Sequence, residues 1–257
     1  MLGEDHRETL RARYYAALLF GAQEKHREAA EQFAAIVARD RQILRSDDPQ
    51  LTRELYNWAA TLQNAGDDAA AEPILRELLV IVDEHGMESE DYVPAARNAL
   101  AKALEERGEH EEADELFQAA LEERKRRYTG PHPEIAYSLS DYGEALLDRG
   151  DAEGAEPLLA ELVEMEQGLR KADDPELAAA RMLYGRCLTK LGRYADAEAQ
   201  LVPACETFSR SKDALPSAAR EAHEGIRELY AAWDASEPGR GIAGRVERWK
   251  ERFPAEE

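Results

Sequence analysis

Four glycines stand 42 residues apart: Gly66, Gly108, Gly150 and Gly192. Counting on in the same step gives Glu24 before them and Asp234 after. A fixed period unbroken by insertions constrains the fold more than any other feature. Each unit must be one supersecondary element that buries its apolar face against its copies. Positions around the mark keep their character. Five residues past it lie Ala29, Ala71, Ala113, Ala155 and Ala197; nine past lie Phe33, Leu75, Phe117, Leu159 and Leu201. Four before lie Phe20, Leu62, Leu104, Leu146, Leu188 and Tyr230.

The apolar spacing inside a unit is helical. Leu139, Tyr142, Gly143 and Leu146 follow an i, i+3, i+4, i+7 pattern, and Ala155, Leu158, Leu159, Leu162 and Val163 do likewise. No run alternates with period two, so no strand is predicted. The glycine ends the first helix of each pair, where a left-handed backbone is cheap only without a Cβ. Asp67 and Asp151 follow it as caps of the second helix. The stretches DDPQLT (47–52), PHPEIA (131–136) and DDPELA (173–178) open the next unit, with Pro in the first turn and Asp or His before it. Paired acids such as Asp47/Asp48 and Asp173/Asp174 recur with the period and are read as caps rather than catalysts. Two units depart from the grammar. Asp91 replaces the linker proline of the third, and Glu24 replaces the first glycine, so the first hairpin is expected to open differently.

This predicts an all-α solenoid of antiparallel helix pairs, a single domain over 1–257. The pairs fall at about 5–44, 47–86, 89–128, 131–170 and 173–212, with an imperfect capping pair at 215–253. Hydrophobic residues at 44% suffice for a continuous core. The net charge of −21 repels phosphate and anionic lipid, which excludes nucleic acid and membrane as partners and favours basic ones. The longest apolar runs, such as 78–82, are too short to span a bilayer, and a cytoplasmic protein is expected. Cys187 and Cys205 lie in no metal-binding spacing and are read as two buried free thiols. No two histidines share a helical i, i+3 or i, i+4 pair, so neither metal nor cofactor is expected. GRGIAG at 239–244 matches a phosphate-loop pattern, yet no strand precedes it and no βαβ unit surrounds it. The acidic run at 109–117 and RKRR at 124–127 suit the two ends of one helix and are read as a solvated outer face. Nothing here signals an enzyme.

The stretch LGRYADA at 191–197, with Tyr184 and Gly185 in the preceding helix, resembles the hairpin of tetratricopeptide repeats. Their usual repeat is about 34 residues. The longer unit adds about 12 Å of helix, shared between the two helices. With linkers such as LGEDHRET (2–9) and RKADDPELA (170–178), it resembles the kinesin-light-chain type of repeat. The resemblance implies a right-handed superhelix whose first helices line a concave groove for a peptide or partner protein. High Ala, Arg, Asp and Glu content points to a bacterial source. Because the chain begins inside a linker-like LGEDH, it is either a short standalone protein or the last part of a longer one.

Family geometry places Arg11, Tyr14 and Tyr15 of the first pair in that groove, followed by Arg53, Tyr56 and Asn57 of the second and Asn98 and Lys102 of the third. Asn can pair with both peptide N–H and C=O, Arg and Lys can take a carboxylate, and Tyr gives area with a polar tip. These cationic and aromatic positions run against the charge of the whole chain. The lysine of a carboxylate clamp is Tyr14 here, which leaves an acidic or aromatic-acidic internal segment open as ligand. The expected function is therefore a non-catalytic protein-binding scaffold. Two rivals stand beside it. One is a docking region acting in cis for a bacterial Ser/Thr kinase or ATPase regulator; the other is a spacer or self-associating array.

Overall fold

The computed structural model describes residues 7–87, 91–210, 216–238, 242, 244–246 and 249. Its described residues form eleven helices and no strand. They are α1 (Arg7–Ala22), α2 (His26–Ile43), α3 (Pro49–Asn64), α4 (Asp68–His85), α5 (Val93–Arg107), α6 (His110–Arg127), α7 (Pro133–Asp148), α8 (Ala152–Leu169), α9 (Pro175–Lys190), α10 (Tyr194–Arg210) and α11 (Pro216–Ser236). The chain divides into two compact units, 1–123 and 124–257.

In the first unit the predicted caps of α3 and α4 are realised atom by atom. Asp48 caps α3 by accepting from the Gln50 N–H at 2.8 Å, with Pro49 in the first turn. Asp67 caps α4 through the Ala70 N–H. Gly66 is left-handed at φ 76°, as the repeat requires. Glu24 overturns one expectation. It takes φ 59°, the same left-handed turn as the glycines, and so the first hairpin opens like the rest despite its Cβ. Phe33 and Ile36 of α2 close on Ala17 of α1, with Tyr14 and Trp58 against them. Where the linker proline is missing, α5 starts at Val93 and Pro94 serves in its first turn instead. Tyr92 before it is buried, and its hydroxyl lies 2.5 Å from Thr52 Oγ1.

The second unit repeats the scheme. Asp151 and Asp174 accept from Gly154 N and Glu176 N. His132 caps α7, its Nδ1 accepting from Glu134 N at 3.2 Å, and stacks on Tyr128 at 3.6 Å. Close helix approach is built on missing side chains. A Cβ on Gly185 of α9 would stand 2.5 Å from Leu201 Cγ of α10, and one on Gly143 of α7 would stand 2.5 Å from Leu159 Cδ2 of α8. Ile242 and Trp249 are buried with Phe208, Ile226 and Trp233. Both cysteines are free and buried, and desolvation pushes each thiol up to about 11. Arg124 corrects the reading of RKRR as solvated. It is buried, donates to Ser138 Oγ at 2.5 Å and pairs with Glu134 at 2.9 Å.

Candidate functional site

The first unit carries a cleft of about 850 Å³ where α1, the end of α2 and the start of α3 meet. Helix α1 supplies Leu10, Arg11, Tyr14 and Tyr15; α2 and its exit supply Asp40, Ile43 and Leu44. The capping turn and α3 supply Asp48, Pro49, Gln50, Arg53 and Glu54. Helical phase explains the set. Arg11, Tyr14, Tyr15 and Leu10 share one face of α1, and Gln50, Arg53 and Glu54 share one face of α3.

Four of the eight sequence-predicted residues line this cleft: Arg11, Tyr14, Tyr15 and Arg53. Tyr15 is 56% exposed, and the Arg11 guanidinium stands 5.8 Å from its ring centroid. Tyr14 meets Tyr15 and Phe33 edge to face, and its hydroxyl accepts from Asn57 Nδ2 at 2.9 Å. Asn57 thus holds a wall of the cleft rather than lining it. Tyr56 stacks on Tyr92 at 5.8 Å, and the Arg53 guanidinium lies 5.9 Å from that same Tyr92 ring. Lys102 is exposed on α5 but does not line the cleft. Asn98 is only 2% exposed, so its amide is enclosed in the protein instead of facing solvent.

Sequence reasoning passed over the floor. Asp40 and Glu54 are buried there, 1% and 3% exposed, and the Gln50 amide donates to both, 3.0 Å to each. Burial pushes the Glu54 carboxyl up to about 8, and the neighbouring Asp40 adds to the rise; Gln50 opposes it. The Glu54 carboxyl therefore keeps its proton at neutral pH. A signal for this pair existed in the repeat. Twelve residues before each mark stand Ala12, Glu54, Ala96, Ser138, Ala180 and Ala222, so a glutamate occupies a position otherwise given to small residues. Sixteen past the mark, Asp40 is matched by Val82, Arg124, Glu166 and Phe208. The Arg124–Ser138 hydrogen bond in the second unit joins the same two phases that Asp40 and Glu54 occupy in the first.

Among the described residues no group of three or more His, Cys, Asp or Glu side chains is placed to hold a metal ion. No described helix is long and apolar enough to cross a membrane.

An all-α chain of stacked helix pairs with a side cleft defines a helical repeat protein of the solenoid class. The particular repeat it matches is the tetratricopeptide repeat, whose family model fits residues 92–165 and 134–208, and the same 42-residue period continues over the other described helices. Solved structures agree on the fold. A putative kinesin light chain from Podosopora anserina, with nearly identical tetratricopeptide-like repeats, aligns at TM-score 0.70 and 20% identity, over 82% of this chain and 98% of its own. BtubC (BKLC) from P. vanneervenii aligns at TM-score 0.70 and 22% identity, over 81% of this chain and 83% of its own. YrrB, a tetratricopeptide-repeat protein with an unusual peptide-binding site, aligns at TM-score 0.51 and 18% identity, over 85% of this chain and 99% of its own. No curated protein matches the chain in sequence. Repeats of this family typically form protein-interaction modules without catalysis.

Proposed function

We propose that this chain is a non-catalytic cytoplasmic scaffold whose first unit holds an extended peptide segment of a partner protein in the cleft between α1 and α3. The observation that carries the reading is the lining itself. Tyr15, Arg11 and Arg53 present aromatic area and charge at the rim of a concavity of about 850 Å³, within the size range of ligand sites. The peptide-binding site of YrrB supports the same use of the fold.

The test is a library of acetylated, amidated decapeptides passed over the immobilised chain. Retained sequences are then measured by fluorescence anisotropy. Tyr15→Ala and Arg53→Glu alter exposed side chains and leave the core intact, so helicity by circular dichroism should match wild type. Each should weaken retained peptides at least about tenfold, the loss of one good interface anchor. Undiminished binding by both variants would move the site off this cleft. A second reading, self-association, has one observation in its favour: Leu18 and Leu19 stand exposed on α1 beside Tyr15.

A further inference from the structure

We infer that the cleft floor is a receptor for a basic side chain, an arginine or lysine of the bound segment, which lies between the Asp40 and Glu54 carboxyls. The inference rests on the cleft being the binding site and adds what it selects. Three independent observations carry it.

The first is an acceptor short of a donor. Glu54 lines the cleft, is 3% exposed, and has its Oε1 satisfied by Gln50, while no N–H or neutral hydroxyl of the protein donates to its buried Oε2 and its acidic neighbour Asp40 has no such donor to give. Buried polar atoms are almost always given a donor, so one without it in a residue that lines a cleft marks a place for a donor from outside. The second is the misuse of a packing position. The third to sixth repeats place Ala96, Ser138, Ala180 and Ala222 at this phase, all buried, where a small side chain lets neighbouring helices meet. Once both are ionised, two acids at such a junction oppose folding, since burying like charges is unfavourable unless a counter-charge arrives. The third is geometry matched to charge. A guanidinium or ammonium entering past Tyr14 and Tyr15 would run its stem along aromatic faces and place its donors at the carboxylates. The field of a chain with net charge −21 steers such a cation in.

The charged groups around the floor are Arg11 on α1, Asp40 on α2, Asp48 in the capping turn and Arg53 on α3. The arginines sit at the rim, where they suit an acidic residue or peptide carbonyls flanking the inserted cation. The carboxyl of Glu54 holds its proton up to about 8, so a cation that binds at neutral pH must displace it. Binding therefore strengthens as pH rises, by up to about tenfold per pH unit below that value, and levels off above it.

Three acetylated, amidated decapeptide libraries provide the test, each random except for one fixed residue: arginine, its neutral analogue citrulline, or glutamate. They are passed over the full chain and its Glu54→Gln variant at about pH 6 and about pH 8.5. The arginine library should be retained at least about tenfold over the citrulline library, more strongly at the higher pH. Glu54→Gln, which keeps the side-chain shape, should abolish both the preference and its pH dependence. Titration calorimetry in two buffers should show about one proton released per arginine peptide at neutral pH with wild type, and none with the variant. Equal retention of arginine and citrulline libraries, or a preference that survives Glu54→Gln, would overturn the inference. If peptides bind and Tyr15→Ala removes them without any basic preference, this inference falls and the cleft reading stands. If wild type retains no peptide, both fall.

Discussion

Replacing Glu54 by glutamine should stabilise the protein in alkaline solution and flatten its pH dependence. In the folded chain the Glu54 carboxyl titrates at about 8 against an ordinary 4.5, raised first by burial and next by Asp40. Below 4.5 folded and unfolded chains both carry the proton, and the group is neutral to stability. Between 4.5 and about 8 only the folded chain keeps it, so the unfolded state binds fewer protons and stability falls as pH rises. Above about 8 the loss is complete. At about 1.4 kcal/mol per pH unit the whole interval is worth on the order of 5 kcal/mol. The cleft is open to water on one side and the Gln50 amide already donates to Glu54, so a discount by half or more gives about 2 kcal/mol. Glutamine can accept from Gln50 and donate to Asp40 at every pH, and carries no charge to desolvate. Carboxyls held low by arginines, such as Asp47 and Glu72, titrate the opposite way but are common to both proteins. Thermal melts from about pH 5 to about pH 8.5 should therefore diverge, the variant melting higher by several degrees at the alkaline end. Hydrogen exchange should place the gain in α2 and α3. Parallel pH curves for the two proteins, or a variant less stable by more than about 1 kcal/mol throughout, would refute the reasoning.

Two further substitutions test the repeat grammar. Glu24 holds φ 59°, a conformation that costs a residue with a Cβ about 1–2 kcal/mol, so Glu24→Gly should raise stability by about 0.5–1 kcal/mol after the entropy of glycine is subtracted, read as a higher melting temperature. Gly185→Ala should lower stability by about 1–3 kcal/mol, because the added Cβ meets Leu201 Cγ at 2.5 Å; Gly21→Ala, with nothing within 4 Å, is the control that should leave the melt nearly unchanged.

How much the sequence disclosed follows from what kind of interaction wrote each feature. Helix ends are local: a glycine at the left-handed turn, an aspartate accepting from the amide two or three residues on, a proline in the first turn. Such signals recur with the period, and the helix boundaries follow them closely from α1 to α10. Glu24 was misjudged because only a tertiary term, the burial of Phe33 and Ile36 against α1, can hold a glutamate in a glycine's conformation. Arg124 was misjudged because it is local in sequence to a basic run but packs on the following helix, at Ser138. The rim of the cleft was legible, since Arg11, Tyr14, Tyr15 and Arg53 project from first helices at positions fixed by helical phase.

The floor of the cleft was hidden for a different reason, and that reason bears on function. Asp40 lies in the last turn of a second helix and Glu54 stands twelve before the mark on the next first helix, beside but outside the first-helix positions that define a groove by repeat geometry. They meet only because stacking brings position sixteen of one repeat onto position minus twelve of the next, a contact that a solenoid must make for stability alone. Elsewhere the two phases hold Val82 and Ala96, Glu166 and Ala180, or the hydrogen-bonded Arg124 and Ser138, and no second pair of acids. A repeat protein can give up stability at one such junction while its neighbours hold the stack, because each interface contributes separately. The acid pair at the first junction is thus where this fold could most easily exchange packing for recognition, and it lies beneath the rim that presents Tyr14, Tyr15 and Arg11.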